Sequence, residues 1–281
     1  SQPEVAALQA LVSEWNLLAD LGFADLSLWV PTWNAGGFVA GAQVRPTTGP
    51  TRVKEDLVGQ FQARGRVPIL DRVLATVRPE THRSELRPLI PLADEAFPIV
   101  RGNRVIAVVL RQSSLEARAE GQLELTYLQA FDALTSMATD GKFPSTETLG
   151  HSSTPPRVGD GLLQLDTEGM VTYASPNAVS SCHRLGLAFG ITGQHLANTL
   201  MRLTRKPGPT NEALMLVAGG RVAGETEVDN SGAVLSLRAI PLIENSYRVG
   251  ALVLIRDVTE VVRRERALLS KDATIREIHH R

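Results

Sequence analysis

Residues 161–177, GLLQLDTEGMVTYASPN, contain the clearest strand pair in the sequence. Two apolar stretches, residues 161–166 and 170–174, flank a short polar turn of sequence TEG. A turn of this kind between two strand-length apolar stretches predicts a β-hairpin. Because a hairpin joins neighbouring strands in opposite directions, it predicts an antiparallel sheet in this part of the chain.

The sequence that follows this hairpin continues the same pattern. A short helix is predicted at 177–185, and three more strands are predicted at 225–228, 234–241 and 249–255. The sequences DNSG and ENSY separate these strands, and they contain the residues that tight turns favour. This part of the chain is therefore expected to be an α+β unit built on antiparallel strands.

The N-terminal half has a comparable organisation. Apolar residues spaced three and four apart predict its helices, and strand-length apolar stretches separated by turn residues predict its strands. In chain order, the predicted elements are a helix over 3–21, strands over 23–30 and 37–45, a helix near 69–77, a hairpin over 96–110 and a helix over 115–138. The rest of residues 46–92 is weakly patterned.

Residues 141–158, GKFPSTETLGHSSTPPRV, separate the two halves. Their prolines, glycines and Ser/Thr residues disfavour both helix and sheet and are typical of a linker. We therefore predict a first domain over 1–140, a linker over 141–158, a second domain over 159–257 and a helix over 258–281. Neither half alternates strands and helices as a parallel sheet requires, so the predicted fold class is α+β, with a central antiparallel sheet flanked by helices in each domain.

Composition restricts the classes of function. The chain has 281 residues with 29 Lys+Arg against 30 Asp+Glu, and its formal net charge of -1 lacks the basic excess of a nucleic-acid-binding protein. Its apolar stretches are far shorter than the about 20 residues of a membrane helix, and its acidic N-terminus does not match a secretion signal. The single cysteine, Cys182, excludes an intramolecular disulfide and favours a reducing compartment. A cytoplasmic protein without membrane or direct nucleic-acid contact is expected.

No hydrolytic or metal motif is present in the sequence. There is no GxxxxGK[ST] loop, no GxSxG elbow and no HExxH pair. Cys182 and His183 are adjacent, so their side chains should point apart, which favours a packed thiol beside a surface histidine. His82, His151 and His195 lack a second ligand at metal spacing, so no metal site is predicted, and His82 as a haem ligand is a minor alternative.

Residues 258–281 differ from both halves because they contain no Gly or Pro and many charges. Their apolar residues recur at heptad spacing, at Val261, Leu268 and Ile275, accompanied by Val262, Leu269 and Ile278. This spacing predicts a helix of the coiled-coil type. The helix carries no C-terminal stop signal, so we expect the natural protein to continue it.

Two adjacent histidines, His279 and His280, end this helix. With Ile275 at the centre of the apolar seam and about 100° per residue, His279 lies about 40° from the seam and His280 about 140° from it. His280 is therefore expected to project into solvent. An exposed imidazole on a rigid helix is suited to attack a phosphoryl group brought by a mobile partner domain.

The sequence around these histidines resembles a known family. Residues 270–281, SKDATIREIHHR, resemble the opening of the H-box of sensor histidine kinases of the HWE-related class, in which EIHHR is followed by VKNNL. Residues 161–177 resemble the opening strands of a PAS domain, and residues 255–260, IRDVTE, resemble the D-[IV]-T exit from a PAS domain into a signalling helix. Residues 1–140 resemble a GAF domain. The order GAF, PAS, H-box is similar to that of actinobacterial PdtaS-type soluble kinases.

The resemblance implies a sensory region with the start of a phosphoacceptor helix. It implies His280 as the phosphoacceptor, with His279 as the second choice, and a homodimer in the intact protein. ATP and Mg²⁺ would be bound by a separate kinase domain, so this chain alone is expected to be inactive and to hold no cofactor. The phosphoryl group would pass to a response regulator, which in this family often carries an RNA-binding antiterminator domain.

Two questions stay open at this stage. The input is an unidentified small molecule, with nucleotides among the candidates, or else one or both domains are empty scaffolds in which Trp29 and Tyr173 are core residues. The alternative function is a GAF/PAS ligand-binding regulatory module that controls a different effector, such as a phosphatase or a nucleotide cyclase.

Overall fold

The computed structural model describes residues 2–84, 92–114, 121–150, 155–204 and 210–279. The chain divides into two compact units: Ser1–Thr146 with Ile243–Asn245, and Glu147–Leu242 with Ser246–Arg281. The division after residue 146 falls inside the stretch that the sequence predicts as a linker. Within the described residues no helix is both long and apolar enough to cross a membrane.

Unit 1 is a six-stranded antiparallel sheet with helices on both faces. Its helices are α1 (Gln2–Ser13), α2 (Trp15–Gly22), α3 (Pro68–Thr76) and α4 (Gln122–Thr139). Its strands are β1 (Asp25–Pro31), β2 (Gly37–Val44), β3 (Phe61–Ala63), β4 (Glu80–Ser84), β5 (Leu92–Arg101) and β6 (Arg104–Ser114), in the order β3-β2-β1-β6-β5-β4.

Two neighbouring residues of β5 show how the sheet separates the helices. Ala96 packs in a core cluster with Leu70 and Val73 of α3. The ring of the next residue, Phe97, meets the ring of Phe131 of α4 edge to face, with 6.3 Å between centroids. Because successive side chains of a strand point to opposite faces, α3 and α4 lie on opposite faces of the sheet.

The helix predicted over 3–21 is two helices in the structure. The Ser13 hydroxyl donates to the carbonyl of Ala10 at 2.6 Å, and such side-chain bonds compete with the helix's own ladder. α2 then begins at Trp15. The helix near 69–77 is confirmed as α3, whereas β3 and β4, which lie at the sheet edges, are not predicted by the weak pattern of residues 46–92.

Unit 2 is a five-stranded antiparallel sheet. Its strands are β7 (Leu162–Leu165), β8 (Val171–Ala174), β9 (Gly224–Asn230), β10 (Ala233–Glu244) and β11 (Tyr247–Asp257). Its helices are α5 (Pro176–Leu185), α6 (Leu196–Leu203), α7 (Thr210–Ala218) and α8 (Thr259–His279). The order β8-β7-β11-β10-β9 places the last strand in the centre, and the fold is PAS-like, as the unit 1 fold is GAF-like.

Tight turns set the register of the long strands of unit 2. Ser231 and Gly232 between β9 and β10 both have positive φ, and so do Asn245 and Ser246 between β10 and β11. Two consecutive positive φ values are what a two-residue hairpin turn requires. The predicted strands over 225–228, 234–241 and 249–255 are confirmed, whereas α6 and α7 lie in a stretch for which no element was predicted.

The aromatic residues expected in the core behave differently. Trp29 is buried, and its indole N–H donates to the Ser27 hydroxyl at 2.9 Å. Tyr173 is only half-buried because it lies on β8, an outer strand of its sheet. The expectation of core packing is therefore confirmed for Trp29 and wrong for Tyr173.

Candidate functional site

The two histidines predicted to carry chemistry lie at the end of α8. His279 is the last residue of α8, and its side chain is outside the part of the chain that the structure describes. His280 lies outside the described residues altogether. Their roles as phosphoacceptor and second choice therefore stay predictions.

Cys182 lies in the core of unit 2, where it packs with Ala178 and Leu185 of α5. Burial raises the pKa of its thiol to about 11, so the nucleophilic thiolate is disfavoured. The adjacent His183 is exposed. The interpretation as a packed thiol beside a surface histidine is confirmed.

The two other histidines that the structure describes, His195 and His82, do not form a site. His195 precedes α6, and its Nδ1 accepts a hydrogen bond from the Asn198 amide at 3.4 Å, which makes it a helix cap. His82 is exposed on the outer strand β4, and His151 lies outside the described residues. Among the residues that the structure describes, no three His, Cys, Asp or Glu are placed to hold a metal ion.

A denser polar arrangement lies at residues 257–259, where the sheet of unit 2 passes into α8. We call these residues the junction. The Thr259 amide and hydroxyl both donate to Oδ1 of Asp257, at 3.0 and 2.6 Å. The Thr259 hydroxyl also accepts from the Val234 amide at 2.9 Å, and the Val258 amide donates to the Val234 carbonyl at 2.9 Å. The first turn of α8 is thereby fixed to the start of β10.

Arginines connect the junction to the neighbouring elements. Arg184 of α5 forms an ion pair with Asp257 at 3.3 Å. Arg263 of α8 donates to the Gly232 carbonyl at 3.4 Å, and Arg266 pairs with Asp229 at 3.2 Å. α8 is therefore tied both to α5 and to the hairpin formed by β9 and β10.

The charge state of Asp257 depends on these contacts. Partial burial acts to raise its pKa, but the two hydrogen bonds from Thr259 and the charges of Arg184 and Arg263 outweigh this effect and lower the pKa. Asp257 is therefore ionised at neutral pH and accepts both Thr259 donors as a carboxylate.

One hydrogen bond joins α5 to the hairpin formed by β9 and β10. The side-chain Nδ2 of Asn230 donates to the Leu185 carbonyl at 2.7 Å, at the end of α5. Leu185 and Cys182 belong to the core of unit 2, so a displacement of α5 in the core would reach both Asn230 and Arg184. α5 is the element that links the interior of unit 2 to the junction.

The junction faces solvent through an open cleft of about 490 Å³. The cleft is lined by Arg184, Ser231, Gly232, Ala233, Asp257, Thr259, Glu260, Val261 and Arg263. The side chains of Arg184 and Arg263 are 61% and 62% exposed. Ion pairs this exposed contribute roughly 0–1 kcal/mol each, so they can be broken and remade at little cost.

Unit 1 contains buried polar groups that the sequence pattern does not reveal. Asp20 accepts from the Thr47 amide and hydroxyl at 2.6 and 2.9 Å, and Asp25 accepts from the Arg52 and Val53 amides at 2.5 and 2.9 Å. Asp20 thereby holds the segment between β2 and β3 against α2, and Asp25 holds it against β1. These contacts explain how a weakly patterned stretch is ordered and indicate a structural role for both aspartates.

Arg111 of β6 is also a buried charged residue of unit 1. Its guanidinium donates to the Gly22 carbonyl at 2.7 Å and to Glu95 at 2.5 Å, and lies 5.0 Å from the ring centroid of Phe131. Burial raises the pKa of nearby Asp132, a change that Arg111 opposes and Glu95 reinforces. The cluster is satisfied internally, which again indicates a structural role.

The resemblance in the sequence located the junction, but the arginines and Asn230 were not predicted. The sequence contains part of the signal, because Arg263 and Arg266 lie three residues apart and so share a helix face. Their acceptors, Gly232 and Asp229, lie more than 30 residues earlier in the chain. Such partners become visible only in the folded unit.

Comparison with known proteins agrees with this architecture. The family model for the GAF domain of histidine kinase PdtaS matches residues 1–131. The sensor histidine kinases PdtaS of Mycobacterium tuberculosis and Mycolicibacterium smegmatis are 42% and 40% identical over 284 residues, covering 98% of this chain. The chain spans about half, 56%, of the length of these relatives.

A solved structure extends the match through both units. The sensor region of a sensor histidine kinase has 36% identity and a TM-score of 0.80, and the match covers 93% of this chain and 94% of that one. The chain therefore belongs to the sensor regions of sensor histidine kinases.

Proposed function

We propose that this sensory region controls an ATP-dependent protein histidine kinase by setting the position of α8 through the junction. The observation that carries the proposal is the direct passage from β11, the central strand of the PAS-like sheet, into α8 across Asp257 and Thr259. A change in the core that displaces α5 or the β9–β10 hairpin would alter the contacts that hold α8. The helix leads toward His279 and His280, so its position would decide whether the phosphoacceptor meets its kinase domain.

The phosphoacceptor in this proposal is His280. An imidazole nitrogen of His280 attacks the γ-phosphorus of ATP; the N–P bond forms as the bond from phosphorus to the β,γ-bridging oxygen breaks, ADP leaves, and the ring releases its N–H proton. A kinase domain outside this chain would bind ATP and Mg²⁺. The fact that the chain spans 56% of its relatives' length supports the existence of such a domain.

The phosphoryl group then passes from His280 to an aspartate of a response regulator. The N–P bond breaks as an acyl phosphate forms on the regulator. The family membership supports a response regulator as the partner, and an RNA-binding antiterminator output domain in that regulator is the finer prediction. A cytoplasmic location also stays a prediction, as does the absence of direct contact with nucleic acid.

A homodimer is proposed through α8. Leu268 and Leu269 are 63% and 69% exposed, although both belong to the heptad pattern of apolar residues. Exposed leucines in a heptad seam are expected to pack against a second copy of the same helix. Arg264 and Glu265 limit the apolar area of this seam, so the dimer is expected to need the rest of the helix in the full-length protein.

The input signal is proposed to be a small molecule, with nucleotides among the candidates. The sensory architecture supports an input, and no described residue is assigned to its recognition. Calorimetric titration of the chain with cyclic nucleotides is the direct test; heat of binding would support the proposal, and its absence across the panel would favour units without a ligand.

The experiment that tests the phosphoacceptor compares His280→Gln with His279→Gln in the full-length protein. Both variants receive labelled ATP, and circular dichroism checks that both are folded. Loss of label in His280→Gln with retention in His279→Gln is expected. Label retained in the His280→Gln protein would contradict the assignment.

A further inference from the structure

The segment that enters unit 2 is bound to the edge of its sheet; we call residues 147–150 the strap. The Leu149 amide donates to the Ala223 carbonyl at 2.9 Å, and the Glu225 amide donates to the Leu149 carbonyl at 2.7 Å. These bonds form a parallel bridge between Leu149 and Gly224, the first residue of β9. Part of the predicted linker is therefore bridged, at Leu149, to the outer strand β9.

Two glycines make this close approach sterically feasible. A Cβ on Gly224 would lie 2.3 Å from the Leu149 carbonyl oxygen, a distance that no side chain permits. Gly150 has φ of +72°, and a Cβ there would lie 2.4 Å from the Glu225 carbonyl oxygen. The strap therefore depends on glycine on both sides of the bridge.

The strap is held weakly compared with the rest of the sheet. Leu149 is 39% exposed, so it is only partly buried, whereas the core residues of unit 2 are almost fully buried. Segments with few buried contacts open locally more readily than the core of the same unit. The strap can therefore detach while the sheet of unit 2 stays folded.

The same hairpin contacts α8 at its other end. β9 runs from Gly224, where the strap is bound, to Asn230, and Asp229 near this end pairs with Arg266 of α8. The turn residue Gly232 accepts from Arg263. The β9–β10 hairpin is thus in contact with the incoming chain at one end and the outgoing helix at the other.

We propose that binding of the strap to β9 stabilises the docked position of α8, with the β9–β10 hairpin as the coupling element. This regulation rests on the proposed role of the junction and adds a second input to it, from the first residues of unit 2. With the strap bound, the Gly224 end of β9 has a hydrogen-bonded neighbour on each side, which steadies the strand that carries Asp229 and Asn230 at its other end. With the strap released, this end of β9 also becomes a free edge and α8 loosens.

Hydrogen exchange of this chain tests the coupling. Gly224→Ala removes the space for the strap, whereas the control Gly159→Ala places a Cβ in open space. In Gly224→Ala the Glu225 amide is expected to exchange about tenfold faster or more, the loss of a typical hydrogen bond. The Val234 and Thr259 amides of the junction are expected to exchange faster as well, with Gly159→Ala unchanged.

The reciprocal variant covers the case in which Gly224→Ala disturbs the whole sheet. Because a coupling free energy acts in both directions, Arg266→Ala is expected to speed exchange at the Leu149 amide, and Arg264→Ala on the same helix is not. Amides of the β7–β11 pair, such as Leu254, report the integrity of the sheet. The proposal would be overturned if the junction amides kept their exchange rates in a protein with a released strap. It would also be overturned if the Leu149 amide kept its exchange rate in Arg266→Ala. Both outcomes are independent of the phosphorylation assay of His280.

Discussion

Each unit contains a long helix near its C-terminal end, and the two helices are attached in opposite ways. α4 of unit 1 buries Tyr127, Phe131, Leu134 and Met137 in its unit. α8 of unit 2 is attached at its first turns by hydrogen bonds and ion pairs, and Leu268 and Leu269 farther along are exposed. Apolar burial makes α4 part of the core, whereas polar attachment leaves α8 free to change position.

The compositions of the two helices account for this difference. α4, QLELTYLQAFDALTSMAT, has two acidic residues and no basic residue, so most of its faces can be buried. α8, TEVVRRERALLSKDATIREIH, has nine Asp, Glu, Lys and Arg residues and only a narrow apolar seam. A helix of this second kind is stabilised by a partner or by local contacts at its ends, which is what an output element needs.

The largest expected effect distinguishes the buried leucine of α4 from the exposed leucine of α8. Leu134→Ala is expected to lower the free energy of unfolding of unit 1 by about 2–5 kcal/mol, because it leaves a cavity in the core. Leu268→Ala is expected to cost less than about 0.5 kcal/mol in the monomeric chain. Urea denaturation followed by tryptophan fluorescence measures the first, since Trp15, Trp29 and Trp33 all lie in unit 1; far-ultraviolet circular dichroism measures the second.

Leu125→Ala, a partly exposed position of α4, is the matched control for this comparison. It should behave like Leu268→Ala. If Leu268→Ala proved as costly as Leu134→Ala in the monomer, α8 would be packed into its unit and the contrast between the helices would be wrong.

A middle-sized effect is expected at the polar attachment itself. Thr259→Val removes two hydrogen bonds and leaves the Val234 amide without its acceptor. The free energy of local opening of the junction should therefore fall by about 1–3 kcal/mol. Thr126→Val in α4 removes one intrahelical bond, to the Gln122 carbonyl, and should have a smaller effect. The measurement is hydrogen exchange of the Val234 and Val258 amides. If these amides were equally protected in both variants, the polar contacts of Thr259 would not be what holds α8.

Sequence patterns predicted the parts of the molecule where local rules dominate. The hairpin over 161–177 was predicted correctly because turn chemistry and strand alternation agree there, and α8 was predicted because heptad spacing needs no tertiary information. Apart from the helix near 69–77, residues 46–92 were not predicted, since Asp20 and Asp25 order part of that stretch by accepting hydrogen bonds from it, and both lie in another part of the chain. The strap was missed for the same reason: its partner β9 lies about 75 residues away and the contact is made by backbone atoms.

The candidate site likewise has a part that a local motif predicts and a part that only the folded unit reveals. The sequence Asp257-Val258-Thr259 was recognised because the motif is local, and the arginines that surround it were not because they come from α5 and from later turns of α8. Cys182 was correctly read as a core residue from the direction of side chains on a helix. No local pattern relates Asn230 to Leu185, although their hydrogen bond connects the core to the junction.

The smallest expected effect is a dependence of the free energy of unfolding on pH. It has opposite signs for Asp257, which binds the first turn of α8, and for Asp132 of α4. The pKa of Asp257 is lowered on folding, so its ionised form stabilises unit 2 at neutral pH and this contribution is lost as the pH falls below 3.8 toward the folded value. The pKa of Asp132 is raised, so its ionised form opposes folding of unit 1 at neutral pH and the penalty disappears as the pH falls through the raised value. Asp257→Asn should therefore destabilise, and Asp132→Asn should stabilise, at pH 7.

Denaturation of these two variants at pH 7 and at pH 3 checks the signs. Both differences from the parent protein should shrink on acidification. The same sign at pH 7 for both variants would show that the two carboxylates do not experience the opposite environments described above.

The most direct test of the polar junction as the route of signal output is the autophosphorylation rate of the full-length protein. Thr259→Val should change this rate by about fivefold or more, the lower range of a typical coupling between sites, whereas Thr126→Val should leave it unchanged. Both proteins must be folded and equally able to bind ATP. An unchanged rate in Thr259→Val, together with an opened junction by hydrogen exchange, would contradict the proposal that α8 receives its signal there.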